Sequence, residues 1–249
     1  MKFFHRERKP KPASEGNISR RKFLKWAGIT VGAAGLGVVT EEIFRNRKLK
    51  PPTFFINPQP GLKDRALAVE NMGNSINNVF SLDENLSKRF AGKTVHIGIM
   101  TNLTKFARTH PEFTDYLQAF GEGRTLSGLS AVRDEAKGKT AVDVFFDEKA
   151  LHNPARAFAV TAYELYNASR IEDMASRRGV GLKNQFEQEI ATHEYAIAQV
   201  EKMLKISEIA AQVSPTPQNR QLVLDLKAEI TNFNETLTEF RRLHGQRPK

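Results

Sequence analysis

Apolar positions change their period several times along this chain. Over 62–80 they recur at helical spacing, with Ala66, Val69, Ile76, Val79 and Phe80 on the repeating positions. Over 94–100 the period drops to two, with Val95, Ile97 and Ile99 apolar, which predicts a strand. A short helix is predicted over 111–120, closed by Gly121 and Gly123. Two further strands are predicted over 124–133 and 139–147. In the second, Val142, Val144 and Phe146 alternate with Asp143 and Asp147. The polar stretch 134–138 between them can turn, so the pair reads as a hairpin.

Beyond residue 153 the period is helical throughout. Asn153-Pro154 opens a helix that runs to about 178 and stops at Gly179 and Gly181. A second helix is predicted over 183–212, with Phe186, Ile190, His193, Ile197, Val200, Leu204 and Ala211 on a near-heptad seam. Pro215 and Pro217 break it. A third, over 218–243, carries Leu222, Leu226, Ile230, Phe233, Leu237 and Phe240 on one stripe. The expected class is α+β: a small antiparallel sheet packed on a buried helix, with a long C-terminal antiparallel helical hairpin. Residues 41–61, with Pro51-Pro52 and Asn57-Pro58-Gln59-Pro60-Gly61, read as a linker. Residues 62–249 then form one domain, made of 62–181 and the hairpin 182–249.

Charge separates the N-terminal end from the rest. The first 50 residues hold 13 Lys and Arg against 4 Asp and Glu, whereas the whole chain is +10. Residues 51–249 are therefore nearly neutral, and no basic patch there points to nucleic acid. The basic end contains Ser19-Arg20-Arg21-Lys22-Phe23-Leu24-Lys25, followed by a glycine-rich apolar run over 26–39. Paired Arg20 and Arg21 with Phe23 and Leu24 before such a run resemble a twin-arginine export signal, read by a translocase that moves folded proteins. The apolar run spans roughly 21 Å as a helix, short of a bilayer core of ~30 Å. It lacks a clear A-x-A box behind it. Residues 1–40 are expected to be that signal, retained as a membrane anchor through 26–39, with the domain on the extracytoplasmic side. With no cysteine, disulfides, thiolate zinc sites, iron–sulfur clusters and a cysteine nucleophile are all excluded.

The helix after Pro154 carries Tyr163-Glu164-Leu165-Tyr166-Asn167. A strand, a short loop, this helix, glycines and a long helix follow in order over 94–210, and that order resembles the zincin fold of zinc metallopeptidases. Their helix reads H-E-x-x-H: two imidazoles one turn apart hold zinc, and the glutamate takes a proton from zinc-bound water. Here Glu164 matches, while Tyr163 and Asn167 stand at the histidine positions. A phenol needs the metal to deprotonate it, and a neutral amide is a poor zinc ligand. On the resemblance Glu164 is a remnant catalytic base. On the residues alone it is a core-edge carboxylate bonded to a Tyr or Arg elsewhere, such as Arg124 or Arg133. Glu189 and His193 on the next helix are candidate alternative ligands, four residues apart. His193 also falls on the apolar seam, where a hydrogen-bonded core histidine is the ordinary occupant. No P-loop and no nucleophile elbow occur.

These observations point away from catalysis. The expected function is an exported, membrane-anchored, zincin-like protein that has lost its zinc ligands and acts as a non-catalytic binding protein. No cofactor is expected, with zinc the one metal the resemblance brings in. In the resembled family an edge strand pairs with an extended peptide, so the groove beside 139–147 is the expected surface for an extended peptide or protein partner. The alternatives are a membrane-tethered helical interaction protein and an active metallopeptidase with an unusual metal site.

Overall fold

The computed structural model describes residues 36–110, 126–135, 139–175 and 182–245. The export motif with Arg20, Arg21, Phe23 and Leu24, the helix expected over 111–120, and Arg124 lie outside the described residues. In chain order the elements are α1 (Leu36–Asn46), β1 (Thr53–Pro58), α2 (Arg65–Leu82), α3 (Glu84–Phe90), β2 (Thr94–Met100) and α4 (Leu103–Arg108). There follow β3 (Gly128–Glu135), β4 (Lys139–Asp147), α5 (Glu148–Leu151), α6 (Pro154–Ala175), α7 (Leu182–Val213) and α8 (Pro217–Gly245).

The class is α+β, and β3 and β4 form the expected antiparallel hairpin. The sheet as a whole corrects the expectation of antiparallel strands. Its order is β1-β2-β4-β3, and both β1–β2 and β2–β4 are parallel. Helices link β1 to β2, as parallel neighbours require. Val95, Ile97 and Ile99 of β2 pair with Val142, Val144 and Phe146 of β4, and all six are buried. Asp143 and Asp147, read as the polar alternates, are buried too; Phe145, which lies between them on the same face, packs against Leu103 and Ala107 of α4. Asp147 takes the amides of Leu103 and Lys149 at 3.0 Å each, satisfying the starts of α4 and α5.

The stretch 41–61 is not a bare linker. It contains the end of α1 and all of β1, within one compact unit over 32–249. Phe44 is fully buried against Phe80, ring centroids 5.3 Å apart, and Phe80 also meets Phe54 and Phe90. Arg47 donates to the carbonyls of Phe80 and Ser81 and to Ser87 Oγ, at 2.6, 3.0 and 2.6 Å. One guanidinium thus answers carbonyls left open where α2 ends.

Helix α6 is the buried helix of the fold. Ala155, Ala157, Phe158, Ala159, Val160, Ala162, Leu165 and Ala168 are all buried, so it is apolar on nearly every side. Asn153 caps it, accepting from the Arg156 amide at 3.0 Å, and its amide group also donates to Asp225 of α8. Helices α7 and α8 pack as the predicted hairpin. Phe186 meets Phe240, and Arg241 pairs with Glu194, which places the end of α8 beside the start of α7.

Candidate functional site

Helices α6, α7 and α8 and the first residues of β3 enclose a cleft of about 660 Å³. Each element contributes by its spacing. Helix α6 gives Arg156, Val160, Tyr163 and Glu164, recurring every three or four residues along one side. Helix α7 gives Glu189 and His193, one turn apart, and α8 gives Glu229, Asn232, Phe233, Thr236 and Phe240. Leu126, Ser127 and Gly128 form the remaining wall.

Of the residues singled out in the sequence, the structure brings Tyr163, Glu164, Glu189 and His193 together here. Tyr163 donates its hydroxyl to Glu189 Oε2 in a short hydrogen bond. The His193 ring lies edge-on to Tyr163 at 4.9 Å and against Phe233 and Phe240. Its Nδ1 stands 2.8 Å from the Glu189 carbonyl. A carbonyl only accepts, so Nδ1 carries the proton. His193 is thus a buried, hydrogen-bonded seam residue. Asn167, one turn beyond Tyr163, does not line the cleft. It donates to Ser130 Oγ at 3.0 Å and accepts from Gln188.

Glu164 is 3% exposed. Burial pushes its carboxyl up to about 8; the Ser130 hydroxyl pulls it down, and the nearby Glu189 charge pushes it up. Ser130 is therefore its neighbour, rather than the Tyr or Arg expected; Arg124 and the Arg133 side chain lie outside the described residues. Glu164 Oε2 is buried with no hydrogen-bond partner. Gly128 passes directly over the carboxyl, and a Cβ there would stand 2.5 Å from Glu164 Oε1.

Zinc, which the resemblance brings in, does not fit these residues. The Tyr163 hydroxyl serves Glu189, and both ends of the Asn167 amide serve Ser130 and Gln188. Among the described residues no group of three His, Asp or Glu side chains is placed to hold a metal ion. The expected groove beside 139–147 is also corrected. Strand β4 is paired on both sides, and the edge beside the cleft belongs to β3.

Sequence reasoning missed Arg156 and Glu229. Arg156 donates to Glu229 Oε2 at 2.7 Å and to Ser127 Oγ at 2.8 Å, tying α6 to α8 and to the start of β3. A signal existed on α8, where Glu229, Asn232, Thr236 and Glu239 recur at three- and four-residue spacing beside the apolar stripe.

No protein-family model, no curated protein and no solved structure matches this chain. The resemblance to zincins thus rests on the residues of α6 and the order of the elements around it.

Proposed function

We propose that this chain is an exported, membrane-tethered protein whose extracytoplasmic domain binds an extended segment of a partner polypeptide without cleaving it. The observation that carries the reading is the Tyr163–Glu189 hydrogen bond. Two groups offered as ligands are spent on each other, while the cleft beside them stays open. The cleft begins where β3 begins, and β3 is one of the two edge strands of the described sheet. An extended segment adding to that edge gains main-chain hydrogen bonds and sends alternate side chains toward the cleft.

The test is a mixed-sequence peptide pool incubated with the full chain in detergent. The reading expects peptides to be retained and recovered intact by mass spectrometry. Peptides recovered as fragments, with or without added zinc, would overturn it in favour of the peptidase. One observation favours the helical interaction protein: Ile209, Val213 and Leu224 are exposed near the turn between α7 and α8.

A further inference from the structure

We propose that β1 is the edge through which two copies of this chain join, antiparallel and two-fold symmetric about Phe55. The inference stands on β1 alone and not on the cleft. β1 is the other edge strand of the described sheet, and among the described residues no strand pairs with its outer side. Thr53 and Gln59 send their amides inward, to the carbonyls of Lys93 and Ile99, at 2.9 and 2.8 Å. Strand geometry alternates, so Phe55 and Asn57 also bond inward, and Phe54 and Ile56 turn their N–H and C=O groups outward. Such groups on a sheet edge are a template for another strand. Native edges are commonly defended by charged side chains, lysine above all. No charged residue occurs from Pro51 to Leu62. Phe55 instead stands 48% exposed, its ring stacked on His96 with centroids 5.2 Å apart. Phe54, on the opposite face, is held against Phe80, so the strand is fixed before a partner arrives.

The register decides the occupant. With β1 laid antiparallel on its own copy about Phe55, Phe54 falls opposite Ile56 of the second copy, and the two exchange both backbone bonds. The next outward positions are Pro52 and Pro58, which have no N–H, and they fall opposite each other. A shifted register that keeps outward groups facing each other sets a carbonyl of Phe54 or Ile56 against a proline that has no donor. It also parts the two Phe55 rings. The symmetric register sets those rings side by side, in a non-hydrogen-bonded pair with Cα atoms about 4.5 Å apart. Aromatic pairs across strands stabilise a sheet. β1 is thus complementary to itself, and an interface that uses the same patch on both copies closes as a dimer.

The test uses the full chain in detergent and exploits its lack of cysteine. The register puts Thr53 of one copy directly opposite Asn57 of the other, with Cα atoms about 4.5 Å apart, within reach of a disulfide. Both residues are exposed. An oxidised mixture of Thr53→Cys and Asn57→Cys chains should give a covalent dimer, and neither variant alone should. Sedimentation of the unaltered chain in density-matched detergent should give twice the chain mass. Phe55→Asp sets two carboxylates side by side and, with an unchanged melting profile, should weaken association at least about tenfold. If that variant does not fold, the cross-linking pattern decides alone. A monomer at every concentration overturns the proposal. So does a dimer that Phe55→Asp leaves intact, which would move the interface to another surface, such as that of Ile209, Val213 and Leu224. Cross-linking of either single variant overturns the symmetric register. A monomer in which an added extended peptide slows exchange over Thr53–Pro58 would give the edge to a peptide instead.

Discussion

Gly128 and Glu164 are fitted to one another. The β3 backbone at Gly128 runs so close to the Glu164 carboxyl that a methyl group there would lie 2.5 Å from Oε1 and 2.8 Å from Cδ. Both residues line the cleft, so this contact fixes where the sheet meets α6.

Gly128→Ala should therefore destabilise the domain by about 1–3 kcal/mol, the range for overpacking a fitted contact. Urea unfolding of the single variant and of Gly128→Ala/Glu164→Ala gives the check. The double variant should lose less than the sum of the two singles, because removing the carboxyl removes the clash. Strictly additive losses would separate the two residues.

The buried carboxyl makes stability depend on pH. Its folded-state value is about 8 against an ordinary 4.5, raised chiefly by burial. Between those values the folded chain keeps a proton that the unfolded chain has released. Its contribution is thus fully present below about 4.5, falls as pH rises toward 8, and levels off above. The slope is about 1.4 kcal/mol per pH unit, a total of a few kcal/mol. Unfolding free energies from pH 5 to 9 should show this decline in the unaltered chain and not in Glu164→Gln. Parallel curves would contradict it.

Tyr195 ties α7 to the junction of α2 and α3. Its hydroxyl donates to Asp83 Oδ2 at 2.9 Å, and Asp83 Oδ1 accepts from the Leu86 amide at 2.9 Å. Burial, then the Asp83 charge and hydrogen bond, push the phenol well above the usual tyrosine range. The ring also stacks on Tyr166 at 4.0 Å. Tyr195→Phe keeps the stacking and removes the bond, so it should cost about 1–2 kcal/mol in urea unfolding. No measurable change would make the bond incidental.

Export is tested at the paired arginines. Replacing Arg20 and Arg21 together by Lys keeps the charge and removes the motif. In spheroplasts of a host with the twin-arginine translocase, added protease should digest the domain of the unaltered chain. It should spare the domain of the variant, retained inside. Equal digestion of both would remove the export reading.

Much of the fold was legible because its signals are local. The all-round apolar character of α6, the seams of α7 and α8, and the alternating apolar positions of β2 and β4 each lie within one element. Strand β1 hid behind prolines. Pro51-Pro52 precede it and Pro58 ends it, positions an edge strand tolerates because little pairing depends on them. The parallel pairing of β1 with β2 is settled by the intervening helices, and no short window carries that information. At the site, Tyr163-Glu164 and the Glu189–His193 spacing marked four cleft residues in advance. The Arg156–Glu229 pair joins positions 73 residues apart, so the polar spacing on α8 could mark Glu229 but not its partner. Asn167 was placed by motif analogy, and its actual partners, Ser130 and Gln188, come from two other elements.

The most direct test of the central claim is hydrogen exchange of the full chain with and without a saturating extended peptide, with the peptide weighed afterwards. The account predicts slowed exchange over 126–135, none over the opposite edge at Thr53–Pro58, and a peptide of unchanged mass. Unchanged exchange over 126–135, or a peptide recovered in pieces, would contradict it.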